Sequence, residues 1–136
     1  MDLHQVMKSI FKPGDKKDYL HQVTNADTAI FGTDMVHPVY ATFALARDAE
    51  WACRQFVLEM KEADEEGIGT SLTVNHKSPA LVGDEVKFTA MVKSISGHEI
   101  ICAYTASVGS RLVADGETGQ KILKKTKIET LFASIR

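Results

Sequence analysis

Between Leu45 and Met60, the residues Leu45, Ala46, Ala49, Ala52, Cys53, Phe56, Val57 and Met60 recur at three- and four-residue spacing. That period puts them on one broad arc of a helix. Arg47, Asp48, Arg54, Gln55, Glu59 and Glu62 fall on the other side, and so do Trp51 and Leu58. The outward Trp51 and Leu58 predict a helix covered on more than its core face. The pattern supports one long helix over 41–65, with Gly67, closing "EADEEG", as its C-terminal stop.

Downstream the period falls to two. Val86, Phe88, Ala90 and Val92 alternate with Lys87, Thr89 and Lys93, while Ile100, Cys102, Tyr104 and Ala106 face together. Strands are predicted over about 69–78, 84–95, 98–108 and 111–123, with tight turns at Ser96-Gly97 and Gly109-Ser110. Upstream, an entry segment over 1–16 stops at Pro13-Gly14. "DYLHQV" at 18–23 alternates as a first strand. Residues 24–38, with Asn25, Asp27, Gly32, Asp34 and Pro38, read as a loop with one helical turn. The closing "KKTKIETLFASIR" is basic, then apolar, and fits an edge-strand extension or a short terminal helix.

A strand, one long helix and a four-strand meander make an α+β layer architecture, a single domain over 1–136. One helix covers one face of an antiparallel sheet of about five strands. A homodimer is therefore expected, with a tetramer as the next assembly considered.

Composition narrows the function classes. With 44% hydrophobic and 25% charged residues, the 136-residue chain has an ordinary globular profile. A net charge of −2 leaves no basic footprint for nucleic acid or an anionic membrane. No apolar run approaches the ~18 residues that span a bilayer. The N-terminal stretch has no continuous apolar core of a secretory signal, and two cysteines, Cys53 and Cys102, read as buried thiols in a reducing compartment. A cytoplasmic location follows as the expectation.

Three polar residues stand in apolar company. His76 falls on the strand face of Leu72 and Val74; Glu50 borders the apolar arc; Thr42 sits in the first helical turn after "HPVYA". Each has an ordinary reading: Thr42 as a helix N-cap or first-turn residue, Glu50 as a boundary carboxylate either solvated or paired with Arg54, His76 as a hydrogen-bonded core histidine or a strand-end residue. Each could also serve a reaction, since buried titratable groups cluster at functional sites. His4, His21, His37 and His98 show no ligand spacing, so no metal is expected. No glycine-rich phosphate loop, dinucleotide fingerprint or nucleophile elbow occurs.

Taken together, "FKPGDKKDY", "VYATFALARDAEWAC" and "GIGTSLTVNHKSPALVGDEVKFTAMV" resemble the hotdog-fold acyl-CoA thioesterases, and among them the fluoroacetyl-CoA thioesterase branch. The likeness spans roughly residues 11–120. It implies a hotdog fold, a long helix wrapped by a curved antiparallel sheet, dimeric, with active sites at the interface. It further implies Thr42, Glu50 and His76 as the catalytic trio, Gly69 as a backbone approach to the acyl group, and no cofactor beyond the CoA of the substrate. Two features depart from the family. Thr118 and Gln120 stand where a histidine and an arginine are common, and Val36 stands in the neighbourhood of the aromatic gate. A short or medium acyl chain other than fluoroacetyl is expected, in a pocket lined by Val36, Tyr40 and Phe43. The alternatives are a non-catalytic acyl-CoA-binding module and a hotdog hydratase or dehydratase.

If Thr42 and Glu50 share one straight helix, eight residues separate them by about 12 Å. Either Thr42 bends back before the helix, or the trio is assembled across a dimer interface.

Overall fold

The computed structural model describes residues 7–31 and 34–136, with 30–31 and 34–36 described through their backbone only. The chain runs β1 (Lys16–Gln22), a 3-10 turn (Asn25–Asp27), β2 (Thr28–Phe31), β3 (Asp34–Tyr40), α1 (Thr42–Met60), β4 (Glu65–Leu72), β5 (Asn75–His76), β6 (Glu85–Ser96), β7 (Glu99–Val108), β8 (Arg111–Lys124) and α2 (Lys125–Ile135). The main sheet is antiparallel in the order β1-β6-β7-β8-β4, with β5 also pairing β8. Five strand positions and one long central helix are the predicted α+β layers.

The two alternating faces read from the sequence meet in register. Phe88 lies opposite Ala106, Ala90 opposite Tyr104 and Val92 opposite Cys102. All six are buried against Leu45, Ala49, Ala52, Cys53, Phe56 and Val57 of α1. Each large side chain in that seam, Phe56 and Phe88 among them, contributes roughly 1.5–3 kcal/mol through burial. Phe11 of the entry segment adds an edge-to-face contact with Phe56 at 4.9 Å.

Several boundaries differ from the sequence pattern. The helix ends at Met60, where Lys61 turns extended and its N–H closes on the Val57 carbonyl. "EADEEG" is not a helical tail, because the buried Glu65 carboxylate accepts the backbone N–H groups of Glu62 and Met7 and folds the chain into β4. Gly67 is not a cap. It lies inside β4, where a Cβ would come within 2.6 Å of Val57 Cγ1, so it is the close approach of strand to helix. Asp48, assigned to the solvated side of α1, is buried.

The predicted strand over 69–78 is two strands. The ladder breaks after Leu72, and the Thr73 carbonyl instead accepts the Tyr104 hydroxyl at 2.7 Å. This crossing requires Gly116, since a Cβ there would sit 2.0 Å from the Thr73 oxygen. The stretch read as a loop holds the β2–β3 hairpin, and the C-terminal stretch is the helix α2.

Candidate active site

Helix α1 begins where Ala41 is extended and Thr42 takes the first helical position. Thr42 is therefore not the cap. Its neighbouring N–H groups belong to the first turn, which has no intrahelical acceptors and carries the positive end of the helix dipole. Thr42 Oγ1 and His76 Nδ1 share a hydrogen bond at 2.9 Å.

His76 reaches this position from β5, which pairs with Ala114 of β8. Val74, two residues earlier, packs on the core, whereas Leu72 is 37% exposed. The expectation of a shared inward face thus holds for Val74 and His76 only. The other ring nitrogen, Nε2, is buried and has no hydrogen-bond partner among the described residues. A buried polar atom left unpaired is costly, so the ring is not a satisfied core histidine.

Glu50 lies two turns along α1, half-buried, with no hydrogen bond to another described residue. Its expected partner Arg54 is taken by Glu66 at 2.8 Å and reaches the Gly67 carbonyl at 3.4 Å. The Glu50 carboxylate instead faces Gly69, where a Cβ would stand 3.4 Å from Oε2. Gly69 opposes the buried Gln120 on β8, and a bulge follows between Gly69 and Ser71. Thr118, also buried, leaves its hydroxyl oxygen without a partner among the described residues.

The structure thus brings together Thr42 with His76, and Glu50 with Gly69, as two clusters along α1. Phe43 is 61% exposed beside Thr42. Tyr40 is buried, and its hydroxyl donates to Asp48. The side chain of Val36 lies outside the described residues. Two of the cavities, about 400 Å³ at Met7, Phe11, Met60 and Ile95 and about 520 Å³ at Thr73, Asn75, Tyr104 and Asp115, include none of the trio in their walls. In a single copy Thr42 is exposed next to the exposed Phe43, while Glu50 and His76 are half-buried.

A buried polar network was not legible in the sequence. Asp27 accepts from His21 Nε2 at 2.8 Å, from the Thr24 backbone at 2.9 Å and from Arg47 Nη2 at 2.9 Å. Asp48 accepts from Arg47 Nε at 3.0 Å and from Tyr40. Burial works to raise the Asp27 carboxyl, but the bonds from Thr24, Arg47 and His21 outweigh it and hold it down to about 2. Burial, reinforced by Asp48, pushes the Tyr40 hydroxyl far up, so it remains a donor. His21, Asp27 and Asp48 offer ligand atoms within 4.8 Å of one another. Arg47 already supplies the positive charge there, and its guanidinium bridges both carboxylates. The only prior signal was an aspartate next to an arginine, which reads as a solvated pair. The two buried thiols are shifted in opposite directions: the Cys53 bond and burial push Cys102 far up, whereas the bond from Cys102 holds Cys53 below the ordinary thiol value.

The model of the fluoroacetyl-CoA-specific thioesterase family, FlK, matches residues 23–126. A hypothetical protein from Thermus thermophilus, described as a thioesterase superfamily member, superposes with a TM-score of 0.88 at 32% identity, over 94% of this chain and 95% of that one. A single-substitution variant of the fluoroacetyl-CoA-specific thioesterase FlK gives 0.84 at 20% identity, over 95% and 100% of the two chains. A hot-dog-like protein from Thermanaerovibrio acidaminovorans gives 0.83 at 18% identity, over 91% and 92%. The hotdog fold is therefore shown. A search of curated proteins gives no match. No helix among the described residues is long and apolar enough to cross a membrane.

Proposed function

The chain belongs to the fluoroacetyl-CoA-specific thioesterase family, and on that premise we propose that it hydrolyses a short or medium acyl-CoA to the carboxylic acid and free CoA. The observation that carries this reading is the Thr42–His76 hydrogen bond at the start of α1, beside an N-terminal turn able to hold an oxyanion. One FlK structure holds acetyl-CoA and another holds fluoroacetate and CoA, which supports acyl-CoA as the ligand class.

In this reading the thioester carbonyl oxygen points at the first-turn N–H groups, and its carbon lies between Thr42 and Glu50. Either the Thr42 hydroxyl attacks, passing its proton to His76, or Glu50 activates water or attacks directly; the acyl-enzyme ester or anhydride that direct attack leaves is then cleaved by water. The C–S bond breaks, the CoA sulfur takes a proton, and water supplies the new oxygen of the acid. No cofactor is required beyond the CoA that the substrate carries. A cytoplasmic, acyl-CoA-rich setting suits the reaction.

Thr42 is already helical, so it does not bend back toward Glu50, and about 12 Å of helical rise separates the two. We infer that a homodimer completes the site, with Thr42 and His76 of one copy working with Glu50 of the other. Exposed Phe43, Trp51 and Leu58 along the outer side of α1 give such a dimer its apolar contact.

Incubation with acyl-CoA in ¹⁸O-water tests the reaction class. Hydrolysis puts one heavy oxygen into a free acid and releases thiol. A hydroxyacyl-CoA without thiol would assign a hydratase, and binding without turnover would assign a binding module. Neutral Thr118 and Gln120, in place of the expected histidine and arginine, are the observation that favours the last.

A further inference from the structure

The buried network has a position that its chemistry alone does not explain. Two carboxylates buried in a small domain, capped by the guanidinium of the exposed Arg47, cost desolvation that an apolar replacement would avoid. What the network touches is the base of the Thr42–His76 contact, from both sides.

On the Thr42 side, the Asp27 carbonyl accepts the Ala41 N–H at 2.8 Å, directly before Thr42. The Asp27 side chain is itself held by His21, Thr24 and Arg47, so the entry to α1 is clamped to β1. On the His76 side, the Tyr40 N–H donates to the Ala80 carbonyl at 2.8 Å, four residues beyond His76. Val39 bridges Leu81 beside it. Tyr40 therefore belongs to both arms. Its backbone holds the segment that follows His76, and its hydroxyl is bonded to Asp48 in α1, six residues past Thr42. The ring is further fixed by stacking on His21, with centroids 5.6 Å apart.

We propose that Tyr40 and Asp48 are positioning residues that set the Thr42–His76 contact, joining the start of α1 to the strand segment carrying His76. The catalytic consequence rests on the hydrolase reading above; the geometric one does not. Tyr40→Phe removes one hydroxyl and keeps the buried ring. Asp48→Asn keeps the shape and loses the charge that holds Tyr40 and Arg47.

The test uses the full chain with ¹⁵N-labelled histidine, the His76 signals being assigned through His76→Gln. In Tyr40→Phe and Asp48→Asn, the His76 Nδ1 resonance moves toward its value in Thr42→Ala, with the fold retained by circular dichroism. With acyl-CoA, kcat falls about tenfold or more while KM stays within about twofold. In a Thr42→Ala background, Tyr40→Phe then has no further effect on kcat, because the residue acts through Thr42. A His76 Nδ1 resonance at the wild-type position in both variants overturns the proposal, whatever the activity. If wild type turns over no acyl-CoA, the hydrolase reading fails, and the resonance alone decides the positioning role.

Discussion

Thr42 and His76, separated by 34 positions in the chain, meet through Oγ1 and Nδ1 at 2.9 Å. The contact joins a helix N-terminus to a two-residue strand, and the second ring nitrogen is buried with no partner among the described residues. An imidazole held by one nitrogen and frustrated at the other favours proton transfer over stability.

Stability and activity should accordingly separate at this ring. His76→Ala removes a buried unpaired nitrogen at the cost of one exposed hydrogen bond, so its melting temperature should match or exceed that of wild type. Its kcat should fall at least about a hundredfold. Thermal denaturation beside steady-state kinetics checks both, and a large destabilisation would return His76 to an ordinary structural role.

Two glycines should behave oppositely. Gly69→Ala sets a methyl 3.4 Å from the Glu50 carboxylate, so the protein should fold while turnover drops. Gly116→Ala drives its methyl to 2.0 Å from the Thr73 oxygen and should cost about 3 kcal/mol or more. Urea unfolding of the pair decides. Equal destabilisation would mean that Gly69 serves packing rather than the site.

A shared site has an arithmetic signature. Mixing His76→Ala chains with Glu50→Ala chains leaves every homodimer inactive, but each mixed dimer holds one intact site and one doubly impaired site. Activity per mixed dimer should reach about half that of wild type. No recovery after subunit exchange would place the whole trio in one subunit.

The network should also mark the acid limb of stability. Asp27, ordinarily near 3.8, is held down to about 2 in the folded chain. A lowered folded value stabilises above the ordinary value and loses that contribution as pH falls from about 4 toward 2, about 2 kcal/mol in all. Asp27→Asn should therefore trail wild type by a constant margin at neutral pH, the margin closing below about pH 4. A margin unchanged down to pH 2 would contradict this assignment.

Legibility from sequence followed the reach of the interactions. The faces of β6 and β7 could be read because alternation is local. Their turns could be read because Gly97 and Gly109 adopt positive φ, at 61° and 57°. Helix α1 was legible in its arc but not its end: Glu65 closes the turn on Glu62, and its buried carboxylate also accepts the N–H of Met7, 58 positions earlier. Asp48 reads locally as a solvated neighbour of Arg47, but His21 from β1 comes within 3.3 Å of its carboxylate and stacks on Tyr40, contacts that spacing along the helix does not show. The β2–β3 hairpin was hidden by Asn25, Asp27, Asp34 and Pro38, residues that ordinarily end strands. Thr42, Glu50 and His76 were each ambiguous alone, and only their joint order and spacing resembled a family.

The most direct measurement is thiol release, followed with a chromogenic disulfide, from a panel of acyl-CoAs of increasing chain length. Wild type is compared with Glu50→Ala and His76→Ala at matched folding and assembly. Turnover on a short or medium chain that collapses in both variants is the predicted result. Turnover indifferent to both substitutions, or absent from every acyl-CoA, would contradict the account.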